Sequence, residues 1–305
     1  MKKWLLAGLV VFALHPVCLG GDAPSLETVL APLAKAHQGK VAIAVKHLGT
    51  GESYALNADE VMPTASLIKF PVMVETYYQF HEGKCRPDDM IVLSKEDKVP
   101  GSGILTYHFS PGLALCLKDA VHLMIVYSDN TATNLVLDHI GIPSTNVRME
   151  GLGLPNTKIN AKVFKPKTRL SQERGEKYGL GSTTANEMIR LLELLHGDKL
   201  VGPAECKEML GHMKACDDKD KFPRFLPPGT AVAFKTGSVD AAKTAAGIIY
   251  VPMPGSDPKA KQTQPVAVCV LTNDNADKRW VTDNAGNVLC AKVAKAVYDY
   301  YAEKK

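Results

Sequence analysis

The feature that most restricts the fold of this chain is the placement of its periodicities: apolar alternation at both ends, helical spacing in the middle. Residues 40–47 and 52–56 alternate as half-buried strands do and are joined by the turn Gly49-Thr50-Gly51. Three more strand-like runs come only near the other end, at 231–239, 245–251 and 265–272, the last two separated by a Pro-, Lys- and Gln-rich turn over 252–264. Between them, residues 66–80, 117–126, 131–140 and 184–195 read as apolar helices, and helices at 25–37 and 285–301 close the two ends. Pro71 falls inside the 66–80 run, where a local distortion is expected. The order predicts an α/β chain of the α+β type. One antiparallel sheet is formed by the N- and C-terminal segments, flanked by helices, with an all-helical lobe inserted between its halves. The expected division is a sheet lobe at about 21–60 and 200–305 and a helical lobe at about 61–199. No repeat or linker divides the chain further.

The first twenty residues stand apart. Lys2 and Lys3 precede an apolar run over 4–14 and small residues at Gly20 and Gly21, the layout of an export signal cleaved near Gly20. The run is too short for a membrane span of about 20 residues. A periplasmic or secreted protein with no span in its mature chain is expected, acting as a monomer. The balance of 36 basic and 32 acidic residues, without a basic block, gives no reason to invoke nucleic acid. Cys18 would leave with the signal, and six cysteines remain: Cys85, Cys116, Cys206, Cys216, Cys269 and Cys290. Cys206 and Cys216 are a candidate disulfide pair, and Cys269 reads as a buried thiol within a strand. No cysteine or histidine group has metal-ligand spacing, so neither metal nor cofactor is expected.

Three short motifs carry chemistry. In Ser66-Leu67-Ile68-Lys69, helical spacing sets the Lys69 amine on the face of the Ser66 hydroxyl, supplying the base that a serine nucleophile needs. The pattern alone is weak, since Ser256-Asp257-Pro258-Lys259 repeats it in a Pro-rich turn. In Ser128-Asp129-Asn130, Ser128 is a candidate proton shuttle and Asn130 a candidate amide donor to substrate, although all three residue types also favour caps and turns. In Lys235-Thr236-Gly237-Ser238, Lys235 and Thr236 suit a substrate carboxylate. Gly237 lets substrate approach the backbone, and the Ser238 N–H suits an oxyanion.

The trio, in this order, resembles the signature of class A β-lactamases and penicillin-binding proteins. The likeness runs from about Ser25 to Tyr301 and includes Ser128-Asp129-Asn130-Thr131-Ala132-Thr133-Asn134-Leu135 and Gly247-Ile248-Ile249. It implies a serine β-lactamase that opens a β-lactam through an acyl-enzyme on Ser66, with Lys69 and Ser128 catalytic. Asn130, Lys235, Thr236, Gly237 and Ser238 would hold substrate. The alternative it admits is a D-alanyl-D-alanine carboxypeptidase or esterase, or a slowly deacylating penicillin-binding protein, on the same fold.

Two departures bear on that choice. The resemblance implies Glu-x-x-Leu-Asn in the polar loop at 162–182, with the Glu activating the deacylating water, and no such motif is present. Counting back from Ser182-Thr183-Thr184 places the position near Thr168, leaving Glu173 and Glu176 as the loop's carboxylates. An arginine expected before Gly247 is replaced by Ala246, with Lys243 or Arg224 as candidate substitutes.

Overall fold

The computed structural model describes residues 25–255 and 262–304. The export signal, Cys18 and the Ser256 repeat of the Ser-x-x-Lys pattern lie outside them. Five antiparallel strands form the main sheet in the order Ser53–Leu56, Lys40–His47, Thr263–Asn273, Ala242–Pro252, Val232–Val239. The first long strand pairs directly with the last, from Lys40 opposite Asn273 to His47 opposite Val266, so the two ends of the chain close one sheet as expected.

Both faces of that sheet are covered, which explains why its central strands are apolar runs. On one face Ile43, Val45, Val268, Val270 and Phe234 pack under the terminal helices Leu26–Lys35 and Ala285–Glu303. Ser25 caps the first of these, its hydroxyl accepting from Thr28 N at 3.2 Å. On the other face stand Ala42, Ala44, Ala233, Ala246 and Ala267, small side chains that let the inserted helices approach the sheet closely. Their core continues into Lys69–His81, Leu117–Val126, Asn130–Ile140 and Ala185–His196.

Three expectations are corrected. The 66–80 segment is a 3-10 turn, Ala65–Ile68, followed by an α-helix that begins only at Lys69. Pro71 therefore sits in the first helical turn, where a missing N–H costs no intrahelical bond. The polar stretch at 162–182 holds a 3-10 turn, Pro166–Thr168, and a short helix, Gln172–Tyr178, before the Gly181–Thr183 strand. The six described cysteines are all free thiols. Cys206 faces the core of the inserted helices and Cys216 the core on the opposite side of the sheet, so the candidate pair is divided between two cores. Cys269 is fully buried, as read from its strand.

Candidate active site

The three motifs converge where the end of the Val232–Val239 strand meets the 3-10 turn. Ser66 is half-buried on that turn, directly after Ala65, whose φ of 46° is unusual for a residue with a side chain. The turn is clamped from two sides. Thr64 O accepts from Leu67 N at 3.1 Å and from Thr244 Oγ1 at 2.8 Å, while Thr64 N donates to Gly181 O at 2.9 Å. Gly237 completes the clamp: a Cβ there would lie 2.3 Å from Thr64 O and 2.8 Å from Leu67 N. The missing side chain thus admits the nucleophile turn itself, a different reason for glycine than the expected approach of substrate.

Ser128 lies at the centre, at a φ of 52° just before the Asn130–Ile140 helix. Its hydroxyl accepts from Lys69 Nζ at 3.3 Å and from Lys235 Nζ at 3.1 Å, and its carbonyl accepts from Lys69 Nζ at 2.7 Å and Ser102 Oγ at 2.7 Å. With both lone pairs of the Ser128 oxygen facing amines, its own proton is the one left to give away. Asp129 holds the motif in place. One carboxylate oxygen caps Ala132 N at 2.9 Å, and the other accepts from Ile104 N at 2.7 Å and Leu105 N at 2.8 Å. Asn130 Oδ1 accepts from Lys69 Nζ at 2.8 Å, and its amide nitrogen donates to Pro100 O at 2.9 Å.

Both lysines are fully buried. Burial holds the Lys69 amine well below the ordinary lysine range, the nearby Lys235 charge pushes it the same way, and Asp129 opposes them. Only a charged Lys69 can serve all three of its acceptors. A neutral amine keeps its two hydrogens on Ser128 O and Asn130 Oδ1, gives up the 3.3 Å contact to the Ser128 hydroxyl, and has a lone pair left to act as base. The Ser66 hydroxyl has no hydrogen-bond partner among the described residues, so the Ser66–Lys69 contact that the spacing suggested is not closed here. Lys235 is pulled down to about 8, first by burial, with Cys216 and Asp218 acting against it. Its Nζ also donates to Thr236 O at 2.8 Å. Thr236 is buried and Ser238 half-buried near the end of the strand.

The loop expected to carry the deacylation carboxylate brings none to the site. Thr168 is turned into its own loop, its hydroxyl accepting from Lys162 N at 2.9 Å and donating to Lys165 O at 2.7 Å. Glu173 and Glu176 are exposed on the short outer helix, and Glu176 accepts from Gln172 Nε2. Two neighbouring loop residues are tied to the site helix, Lys162 by an ion pair with Asp138 and Val163 through its backbone. Asn134 Nδ2 donates to Val163 O at 3.0 Å, and Val163 N donates to Asn134 Oδ1 at 2.8 Å. Asn134 follows Asn130 by one helical turn, a spacing legible in the sequence whose loop partner is not.

Neither candidate for the missing arginine reaches the Lys235 amine. Arg224 pairs with Asp283 and donates to Thr282 O at 2.7 Å. Lys243 donates to Val239 O at 2.9 Å and lies 4.3 Å over the Trp280 ring. Sequence reasoning passed over Lys221, a buried amine paired with Asp218 at 2.8 Å, whose charge is felt at Lys235. A basic residue inside the Asp218–Arg224 run carries no periodic signal that would have marked it as buried.

Fold and site together define a serine protein of the penicillin-recognising class. A model described as "Beta-lactamase enzyme family" matches residues 25–301, and the chain belongs to that family. A beta-lactamase of Proteus vulgaris is 29% identical over 120 residues, 39% of this chain and 44% of that protein. Beta-lactamase PSE-4 of Pseudomonas aeruginosa is 28% identical over 104 residues, 34% of this chain and 35% of its own length. The matched segments thus span less than half of these curated relatives. Among solved structures, a beta-lactamase from Sphaerobacter thermophilus superposes with a TM-score of 0.74 at 27% identity, covering 89% of this chain and 96% of its own. PBP-A shares the fold with a TM-score of 0.75 at 24% identity, covering 90% of this chain and 94% of its own.

Proposed function

We propose that this chain is a class A-type serine β-lactamase that opens its substrate through an acyl-enzyme on Ser66. The observation that carries the reading is that the two buried lysine amines stand 3.3 and 3.1 Å from one Ser128 hydroxyl oxygen. In this mechanism the Ser66 oxygen attacks the lactam carbonyl while its proton passes to the neutral Lys69 amine. The N–H groups of Ser66 and Ser238 hold the oxyanion, an effect typically worth about 3–4 kcal/mol per donor. As the C–N bond breaks, the Ser128 proton moves to the ring nitrogen, and a lysine ammonium replaces it. Lys235, with Thr236, holds the substrate carboxylate, and Asn130 offers an amide hydrogen to the side-chain carbonyl. Water then releases the product and restores the Ser66 hydroxyl.

A second reading is favoured by one observation: Val163, not a carboxylate, is the loop residue bound to Asn134. Without a positioned base for water, acylation would outrun hydrolysis. The chain would then act as a slowly deacylating penicillin-binding protein or a D-alanyl-D-alanine carboxypeptidase or esterase. PBP-A is a structural neighbour, and a variant of it is known as an acyl-enzyme with penicillin G. Rapid mixing with penicillin G, followed by intact mass spectrometry, separates the two. Repeated turnover with little adduct supports the lactamase, whereas a stoichiometric adduct persisting for many minutes supports the second reading. Neither turnover nor adduct on the unaltered protein, or turnover or adduct that survives Ser66→Ala, sinks both. We further propose that the chain acts as a monomer after export, supported for export by the Lys2-Lys3 and apolar pattern. The checks are the N-terminal residue of the protein recovered from cells and its mass in solution.

A further inference from the structure

Phe164 is an exposed aromatic residue in a backbone conformation that bulky side chains adopt only when their surroundings impose it. Its φ is 54° and it is 62% exposed. The surroundings do impose it. Val163 on one side is bonded through both N–H and C=O to Asn134, and Lys165 on the other donates from Nζ to Glu96 O at 2.9 Å. The ring held in this way lies against Gly101. A Cβ at Gly101 would sit 3.3 Å from Phe164 Cε2 and 2.6 Å from Asn130 Nδ2, so ring edge and amide converge on one point. Tyr107, 63% exposed, also meets Gly101, its hydroxyl accepting from Gly101 N at 3.3 Å. Asn130 Nδ2 uses one hydrogen on Pro100 O, and the other has no partner among the described residues.

We propose that Phe164, with Tyr107, forms an aromatic rim that selects β-lactams carrying an apolar or aromatic acyl side chain. The inference rests on the reading of Ser66 as the residue that penicillins acylate. A substrate whose side-chain carbonyl meets the free Asn130 hydrogen has its next atoms near Gly101, beside the Phe164 ring and the Tyr107 hydroxyl. Aromatic faces favour apolar and aromatic groups there, and an unsubstituted nucleus leaves the rim unused. The residue's strained backbone is then explained by the placement of its ring.

The test compares acylation rate constants for benzylpenicillin and for 6-aminopenicillanic acid, the same nucleus without the phenylacetyl group. Phe164→Gly removes the ring and suits the backbone, so its thermal midpoint should hold or rise. Its rate constant with benzylpenicillin should fall about tenfold and that with 6-aminopenicillanic acid stay within about twofold. Phe164→Tyr, which retains a ring, should keep the preference for benzylpenicillin. Equal losses on both substrates, or no loss on either, overturn the rim. Failure of the unaltered protein to form a Ser66 adduct with either compound is a separate result, and it removes the underlying reading first.

Discussion

The Asn134 side chain, one helical turn beyond Asn130, holds the Val163 backbone by two hydrogen bonds, donating from Nδ2 to Val163 O at 3.0 Å and accepting at Oδ1 from Val163 N at 2.8 Å. That relationship fixes the backbone of position 163 one helical turn from Asn130, and Val163 carries no group able to deprotonate water. Val163→Glu should therefore speed breakdown of the penicillin acyl-enzyme by about tenfold or more, within the range general bases contribute. Decay of the adduct mass after excess penicillin is removed measures this, and an unchanged decay rate would count against it.

Lys235 should impose a basic limit on acylation. Burial brings its amine down to about 8, so its charge is present below that pH and lost as pH rises through it. Second-order acylation by an anionic penicillin should fall across that range, mainly through weaker binding. Lys235→Arg keeps the charge at all accessible pH and should move the limb upward by more than about a unit. A limb unmoved in that variant would assign it to another group.

Gly237 should tolerate no side chain. A Cβ would approach Thr64 O to 2.3 Å and Leu67 N to 2.8 Å, both backbone atoms of the turn that carries Ser66. Gly237→Ala should cost about 1–3 kcal/mol of stability through overpacking. By shifting the nucleophile, it should also lower acylation by about a hundredfold. Urea unfolding and the acylation rate read the two effects separately, and a variant matching the unaltered protein in both would show that the strand moves freely away from the turn.

His212 should make the protein acid-sensitive. Its ring lies between Tyr77 OH at 2.8 Å and His122 Nδ1 at 2.9 Å, and burial, reinforced by His122, pushes it down to about 4. An unfolded chain takes up this proton near 6.5, so between those values the unfolded state binds more protons. Stability contributed by the neutral ring is full above about 6.5 and is lost as pH falls, by about 2 kcal/mol at pH 5. Urea unfolding of His212→Gln should show a correspondingly smaller loss between pH 7 and pH 5. An identical loss in both proteins would place the acid sensitivity elsewhere.

The sheet was legible because strands such as Thr263–Asn273 carry an unbroken apolar run, here 266–271, a pattern that only a doubly covered strand requires. The segments that carry Ser66, Ser128 and Lys235 stood out because each motif is local, but the internal geometry of the first did not follow helix spacing, since Ser66 lies on a 3-10 turn and the helix begins only at Lys69. Thr168, reached by counting back along the loop, is turned into the loop itself: counting assumes a path. The path is instead set by the bonds from Asn134 to Val163, a pairing of residues 29 apart in the chain.

By itself the sequence determined which residue types could do acyl transfer and which segments would be helix or strand, since both depend on near neighbours. Tertiary structure alone decided that Gly237 makes room for the nucleophile turn, that two lysines share the Ser128 hydroxyl, and that Val163 holds the loop's place at the site. Burial and close approach across distant segments have no periodicity to read: they exist only once the two cores have closed on the sheet.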